Sequence, residues 1–391
     1  MDLNQHCTPP TLRIALVCPY SLSRPGGVQG QVLGLARALE VRGHRAVVFA
    51  PIDDPADTPA DVELVATGRS VSLPANGSVA PVTVSLPAVA HAVRSIRTGG
   101  FDAVHIHEPF TPGVPYGLIL GRYLPPLVVT FHRSGGSPLY TALRPLVRRS
   151  ARRFAVRCAV SEAARSTAFD ALGGTYDVGF NGVEVDHYQG VDPWPKDRPT
   201  VLFLGRHEER KGLQVLLTAF GQMGRSGDAW SPTDGLPRPE LWIGGDGPQT
   251  ESLRRRHPES SDVRWLGVLS EEEKIRRLVA ADVLCAPSLG GESFGVVLLE
   301  AMAARTVAVA SDIDGYRHAA GGHAVLTPPG DAPALSEALA SVLAGGPVGA
   351  TLTERDRWLD AASDRASHWS MARLTEWYEA RYRSAMVRTR P

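Results

Sequence analysis

Short apolar runs of strand length alternate with helix-length segments over most of this chain, and no other feature narrows its fold as far. Residues 12–18, 45–50, 103–107 and 127–131 read as strands. Pro25-Gly26-Gly27 opens a helix over roughly residues 28–42, and Gly43 closes it. A second set follows Thr200, with strands at 201–205, 241–244, 263–266, 283–286 and 307–310 and a helix at 213–222. Strands apolar on both faces and separated by helices belong to parallel sheets covered on both sides. The 391 residues allow two or three domains. The expected architecture is α/β, with two Rossmann-like halves at 1–182 and 183–368. The switch falls near Asn181-Gly182-Val183, and a helical tail covers 369–391. Residues 221–239, rich in Gly, Ser and Pro, read as a surface insertion, and 144–157 as one very basic helix.

Basic and acidic residues balance at 41 each, which argues against a wholesale nucleic-acid binder. The cysteines (Cys7, Cys18, Cys158, Cys285) are scattered without a C-x-x-C pair, as expected of reduced, mostly buried thiols in a cytosolic protein. Residues 1–11 show no basic stretch leading into an apolar core, so no secretory signal is expected. No apolar run reaches about 18 residues, so no membrane span is expected either. Asn76-Gly77-Ser78 fits a glycosylation sequon, which means little in the cytosol.

The chemistry concentrates in Gly290-Gly291-Glu292-Ser293-Phe294-Gly295-Val296-Val297-Leu298-Leu299-Glu300. The apolar run reads as a buried helix starting near Ser293, whose free N–H groups could hold a diphosphate. Glu292 at the mouth and Glu300 inside could then bind hydroxyls on either side of it, as a nucleotide-sugar site requires. Gly205-Arg206 at a strand end and Lys211-Gly212 at a helix start place two cations where ligands bind in open α/β sheets. Breaking a sugar–phosphate bond builds negative charge on the phosphate, and fixed cations stabilise it. Gly26-Gly27 would let backbone approach a phosphate closely. His132 ends a strand. His105 and His107 in His105-Ile106-His107-Glu108-Pro109 share a strand face, as metal ligands could, but no third ligand is spaced to join them.

A rival reading exists. Gly291-Glu292-Ser293-Phe294-Gly295 also fits the G-x-S-x-G elbow of hydrolases, with Ser293 as nucleophile and Asp312 or Asp314 and His318 or His323 as partners. It leaves Arg206, Lys211 and Glu300 without a purpose. Gly244-Gly245-Asp246-Gly247-Pro248 is glycine-rich but is not a G-x-G-x-x-G run opening a helix.

The eight-residue spacing of Glu292 and Glu300 resembles the E-x7-E signature of retaining glycosyltransferases of family 4, which have the GT-B fold. Val17-Cys18-Pro19-Tyr20-Ser21, Pro25-Gly26-Gly27-Val28-Gln29, Asn76–Val79, His105–Pro109, Phe203–Arg206 and the run at 285–295 resemble the branch that mannosylates phosphatidyl-myo-inositol. The resemblance implies two domains facing a central cleft, with the C-terminal helix crossing back to the first. It implies transfer of α-mannose from GDP-mannose, with retention, by front-face attack assisted by the leaving phosphate. It implies catalytic roles for His132, Arg206, Lys211 and Glu292. It implies donor contacts from Gly26, Gly27, Gly205, Ser293, Phe294, Gly295 and Glu300, with Leu266, Val268 and Lys274 lining the base pocket. Acceptor contacts would come from Tyr20, Gln29 and Arg133.

Where the family carries a polar, lysine-containing segment after its histidine, this chain has Arg133-Ser134-Gly135-Gly136-Ser137, and Arg305 stands where a glycine is expected. The acceptor stays open between phosphatidylinositol and a soluble inositol phosphate, sugar or natural product; a lipid-binding protein without turnover is the third alternative. No cofactor, required metal, nucleic acid or obligate protein partner is implied. A lipid acceptor would put the protein in the cytoplasm, peripheral on the inner face of the plasma membrane. The arginines of 144–157, among them Arg148, Arg149, Arg152 and Arg153, are the expected contacts with an anionic surface, helped by Val147 or Phe154.

Overall fold

Apolar, β-branched runs flanked by amphipathic helices build two separate parallel sheets in the computed structural model, which describes residues 10–75, 78–133, 144–223, 237–346, 348–349 and 351–388. The chain divides into two compact units, Met1–Gly182 with Met371–Pro391, and Val183–Ser370.

The first unit contains β1 (Arg13–Val17), β2 (Arg45–Ala50), β3 (Glu63–Ala66), the hairpin strands β4 (Val71–Ala75) and β5 (Ser78–Val82), β6 (Ala103–His107), β7 (Leu127–Phe131), β8 (Phe154–Ala159) and β9 (Asp177–Val178). Its main sheet runs β3-β2-β1-β6-β7-β8-β9, all parallel. β1, β6 and β7 are buried on both faces, as expected of central strands under helices. The helix Gly27–Val41 covers one face beside the C-terminal helix Met371–Arg388, whose Leu374, Tyr378 and Tyr382 join the core under β1 and β8. Arg42 and His44 tie that helix down through Glu379.

The second unit stacks β10 (Thr200–Leu204), β11 (Glu240–Gly244), β12 (Val263–Gly267), β13 (Val283–Ala286), β14 (Val307–Ser311) and β15 (Val325–Thr327) in the order β12-β11-β10-β13-β14-β15. Gly212 takes a left-handed φ of 69°, and a Cβ there would lie 1.9 Å from the Pro287 carbonyl. This close approach seats the Glu209–Lys211 turn against the loop after β13.

Two expectations are corrected. Residues 144–157 are not one helix: the helix Arg144–Ala151 ends in a turn, and β8 begins at Phe154. Phe-Ala-Val-Arg-Cys-Ala pairs between β7 and β9, and Phe154 is buried in the core, where it cannot meet a lipid. Arg157 instead binds the Ala151 and Gly173 carbonyls at 2.9 Å each. The helix of the glutamate run begins at Val296, not near Ser293. Gly291 and Gly295 take φ of 73° and 88°, which breaks any helix before them, and a Cβ on Gly295 would press on the Tyr316 ring at 2.8 Å.

Candidate functional site

In the second unit, the loops after β10 and β13 bring charge together. Arg206 follows β10, and the turn Glu209–Lys211 carries Arg210 and Lys211 back toward Glu292. Glu292 Oε1 receives Lys211 Nζ at 2.7 Å and Arg210 Nη1 at 3.0 Å. Glu208, 3% exposed, bridges the other way: one oxygen lies 3.0 Å from Arg206 Nε, the other 3.0 Å from Arg210 Nε. Three cations thus surround two carboxylates. Cations already oriented by fixed partners suit a diphosphate.

Glu300, on the helix Val296–Ala303, takes Lys274 Nζ at 3.1 Å, and Lys274 also holds Glu271 at 2.7 Å. Burial works against the Lys274 ammonium, but Glu300 and Glu271 outweigh it and hold its pKa above the ordinary lysine value. The Tyr188 hydroxyl, from the turn Val185–Tyr188, hydrogen-bonds Glu300 as well. Leu266 and Val268 flank Gly267 at the end of β12, Leu266 half-buried and Val268 exposed. Gly205 follows β10 directly, beside Arg206.

Ser293 lies two residues outside the helix cap at Gly295, and no side chain caps that helix. Phe294 is in the core, edge-on to Trp369 and His318. Asp312 and Asp314 both pair with Arg317, at 2.8 Å. Both acids that the hydrolase reading would use are therefore committed to Arg317.

In the first unit, Gly26 caps the helix Gly27–Val41 in extended backbone, and a Cβ there would collide with the Gln29 side chain at 2.5 Å. Gln29 is buried, and its amide donates to the Ser21 and Arg24 carbonyls, so it braces the loop that carries Gly26 and Gly27. Tyr20 pairs with Val82 as an isolated bridge, and its hydroxyl meets Thr111. His132 follows β7; its backbone N–H donates to Glu108 Oε1 at 2.6 Å, and Glu108 also accepts the Arg133 N–H. Burial holds the His132 imidazole down at about 4, so it is neutral near pH 7. His105 uses both ring nitrogens on side chains, 2.8 Å from the Tyr382 hydroxyl and 2.7 Å from Thr130 Oγ1, and so has no lone pair to offer a metal. Arg148 and Arg153 donate to the Ala171 and Ile119 carbonyls, while Arg149 and Arg152 stand exposed. Residues 134–137, Asn76, Gly77 and Cys7 lie outside the described residues.

Sequence reasoning missed Glu208, Arg210, Tyr188 and Asn181. The run Glu208-Glu209-Arg210-Lys211 carried a signal for the first two, four charges in the connection after β10.

Comparison with known proteins identifies the family. A family model described as Glycosyltransferase Family 4 matches residues 25–187, and one described as Glycosyl transferases group 1 matches 198–345. The chain is 37% identical over 374 residues to the phosphatidyl-myo-inositol mannosyltransferase of Mycobacterium tuberculosis H37Rv, covering 92% of this chain and 94% of the relative. It is 39% identical over 340 residues to the Mycolicibacterium smegmatis protein of that name, covering 85% of each. Among solved structures, a glycosyltransferase from Rickettsia africae aligns with a TM-score of 0.71 at 15% identity, over 96% of this chain and 99% of that one. The Anabaena HepE protein in complex with UDP and glucose aligns with a TM-score of 0.71 at 18% identity, over 95% and 100%. The chain belongs to glycosyltransferase family 4 and is a glycosyltransferase of the GT-B fold.

Proposed function

We propose that this enzyme moves α-mannose from GDP-mannose to the inositol ring of phosphatidylinositol at a membrane surface, with retention. The observation that supports the reading is 37% identity over 92% of the chain to a protein named phosphatidyl-myo-inositol mannosyltransferase. In this reading the second unit holds the donor. Arg206 and Lys211 take the diphosphate, Glu292 takes sugar hydroxyls, and Glu300 with Lys274 faces the nucleoside. Gly205, Leu266, Val268 and the backbone of Ser293, Phe294 and Gly295 complete that side. The first unit supplies Gly26 and Gly27 toward the phosphate, His132 toward the sugar, and Tyr20, Gln29 and Arg133 toward the acceptor. The C1–phosphate bond breaks, the inositol oxygen bonds C1 on the same face, and its proton passes to the departing phosphate oxygen. The Arg206, Arg210 and Lys211 cations offset the charge that develops there. No cofactor or metal enters the scheme. No helix of the described residues is long and apolar enough to cross a membrane. Access to lipid would come from peripheral association at the inner face of the plasma membrane, through Arg148, Arg149, Arg152 and Arg153.

The test is a panel of radiolabelled nucleotide sugars incubated with the purified protein and vesicles containing phosphatidylinositol, or with soluble inositol phosphates, sugars and natural-product acceptors. A mannosylated lipid formed from GDP-mannose alone is the expected product. Label appearing only in a soluble product would replace the acceptor, and label from a uridine sugar would replace the donor.

A further inference from the structure

His107 ends β6 and His132 follows the neighbouring parallel strand β7, with His107 paired in register to Thr130. Their rings stack at 5.1 Å and 27°, and His107 Nδ1 lies 2.8 Å from His132 Nε2. Glu108, the next residue, grips the His132 backbone N–H and takes a left-handed φ of 49° to do so. That conformation costs a non-glycine residue roughly 1–2 kcal/mol, and the bonds to His132, Arg133 and Thr130 hold it there. His107 is braced from below by His105 at 4.2 Å, itself fixed by Tyr382 and Thr130, and Thr130 Oγ1 meets the Tyr378 hydroxyl at 3.0 Å. His132 is thus held at ring and backbone by consecutive residues of one strand end.

Two neutral imidazoles sharing one contact need one N–H and one lone pair. The other nitrogen of His107, Nε2, is buried and has no hydrogen-bond partner among the described residues. A proton there would be an orphaned buried N–H, which proteins tolerate less well than an unfilled acceptor. The proton therefore sits on His107 Nδ1. His132 accepts it at Nε2 and carries its own proton on Nδ1; Asn181, whose buried Oδ1 has no hydrogen-bond partner among the described residues, acts on this ring to favour its protonated form.

We propose that His107 is the positioning residue for His132: its Nδ1–H donates to His132 Nε2, fixing the plane of that ring and keeping its proton on Nδ1. This rests on the reading of His132 as facing the sugar, and the experiment separates the two. Transfer kinetics and GDP calorimetry are measured on the full chain for His132→Ala, His107→Phe and His107→Asn, with whichever nucleotide sugar supports transfer. Histidine tautomers are read by nitrogen–proton NMR on the wild type, with His132 assigned from the signal missing in His132→Ala. Misplacing a reacting group by about 1 Å can cost on the order of a hundredfold. His107→Phe is expected to lose kcat on that scale, with KM and GDP affinity unchanged. His107→Asn, whose amide N–H can stand in for Nδ1–H, should recover most of it, and wild-type His132 should be protonated on Nδ1. Wild-type kcat in His107→Phe beside an impaired His132→Ala overturns the positioning role alone. Wild-type kcat in His132→Ala overturns the reading beneath it. If His107→Phe does not fold, the tautomer decides: a proton on Nε2 of His132 overturns the proposal.

Discussion

Lys211 Nζ lies 2.7 Å from Glu292 Oε1, so the cation proposed for the leaving phosphate and the carboxylate proposed for the sugar form one ion pair. Each then has a separable signature. Lys211→Ala should weaken GDP binding and slow transfer, each by on the order of a hundredfold, the scale of one lost transition-state contact. Glu292→Gln removes a competitor for the cations and should leave GDP affinity equal or tighter while transfer falls on the same scale. Calorimetry with GDP beside a transfer assay checks both. Equal loss of GDP affinity in the two variants would show that Glu292 serves the nucleotide instead.

Much of this site was legible because it is local in sequence. Glu292, Glu300, Arg206 and Lys211 each sit just after a strand or on the helix that follows one, where an open α/β sheet gathers its ligands. Glu208 was not legible, since its value comes from burial between two arginines that only the folded turn creates. The contact of His107 with His132 spans 25 positions and depends on β6 lying beside β7, an order that no local pattern fixes. β8 was misread because Arg149, Arg153 and Arg157 continue a four-residue spacing that mimics a helix face. The strand wins because it is buried on both faces: Phe154 packs into one core cluster, and Val156 and Cys158 into another.

Arg305 has a φ of 58° at the position where family resemblance leads one to expect glycine. A left-handed side chain costs roughly 1–2 kcal/mol, and its ion pairs with Asp356 and Asp360 are exposed, so each offsets at most about 1 kcal/mol. Arg305→Gly should therefore be neutral to stabilising by about 1 kcal/mol, raising the second unit's Tm by about 2–4 °C. A fall in Tm by calorimetry would mean that the ion pairs dominate.

Burial holds His105 down at about 3, His132 at about 4 and His107 well below the usual value. His207, buried beside Trp265, is held down at about 4. All four are neutral in the folded protein at pH 5, whereas the unfolded chain protonates them near 6.5. Unfolding therefore takes up protons in this window. Stability is full above about 6.5 and falls as the pH drops from there toward 4, by up to about 1.4 kcal/mol per pH unit for each histidine. Denaturant unfolding at pH 7, 6 and 5 should show this slope, and His105→Gln should reduce it by about one proton. A flat profile from pH 6.5 to 5 would show that these imidazoles titrate normally in the fold.

Arg149 and Arg152 test the membrane reading more cleanly than the other arginines of the segment, because Arg148 and Arg153 also hold backbone carbonyls. Each basic residue near an anionic surface contributes about 1 kcal/mol, so replacing both with Ser should weaken binding to anionic vesicles by about thirtyfold. The attraction should fade with salt, since screening acts over about 10 Å at 0.1 M. GDP affinity should not change, as neither residue belongs to the unit that carries Arg206 and Lys211. Vesicle sedimentation at low and high salt, with neutral and anionic lipid, measures all of this. Equal sedimentation of wild type and variant with anionic vesicles would move the membrane contact away from this turn. No sedimentation of the wild type at low salt would favour a soluble acceptor.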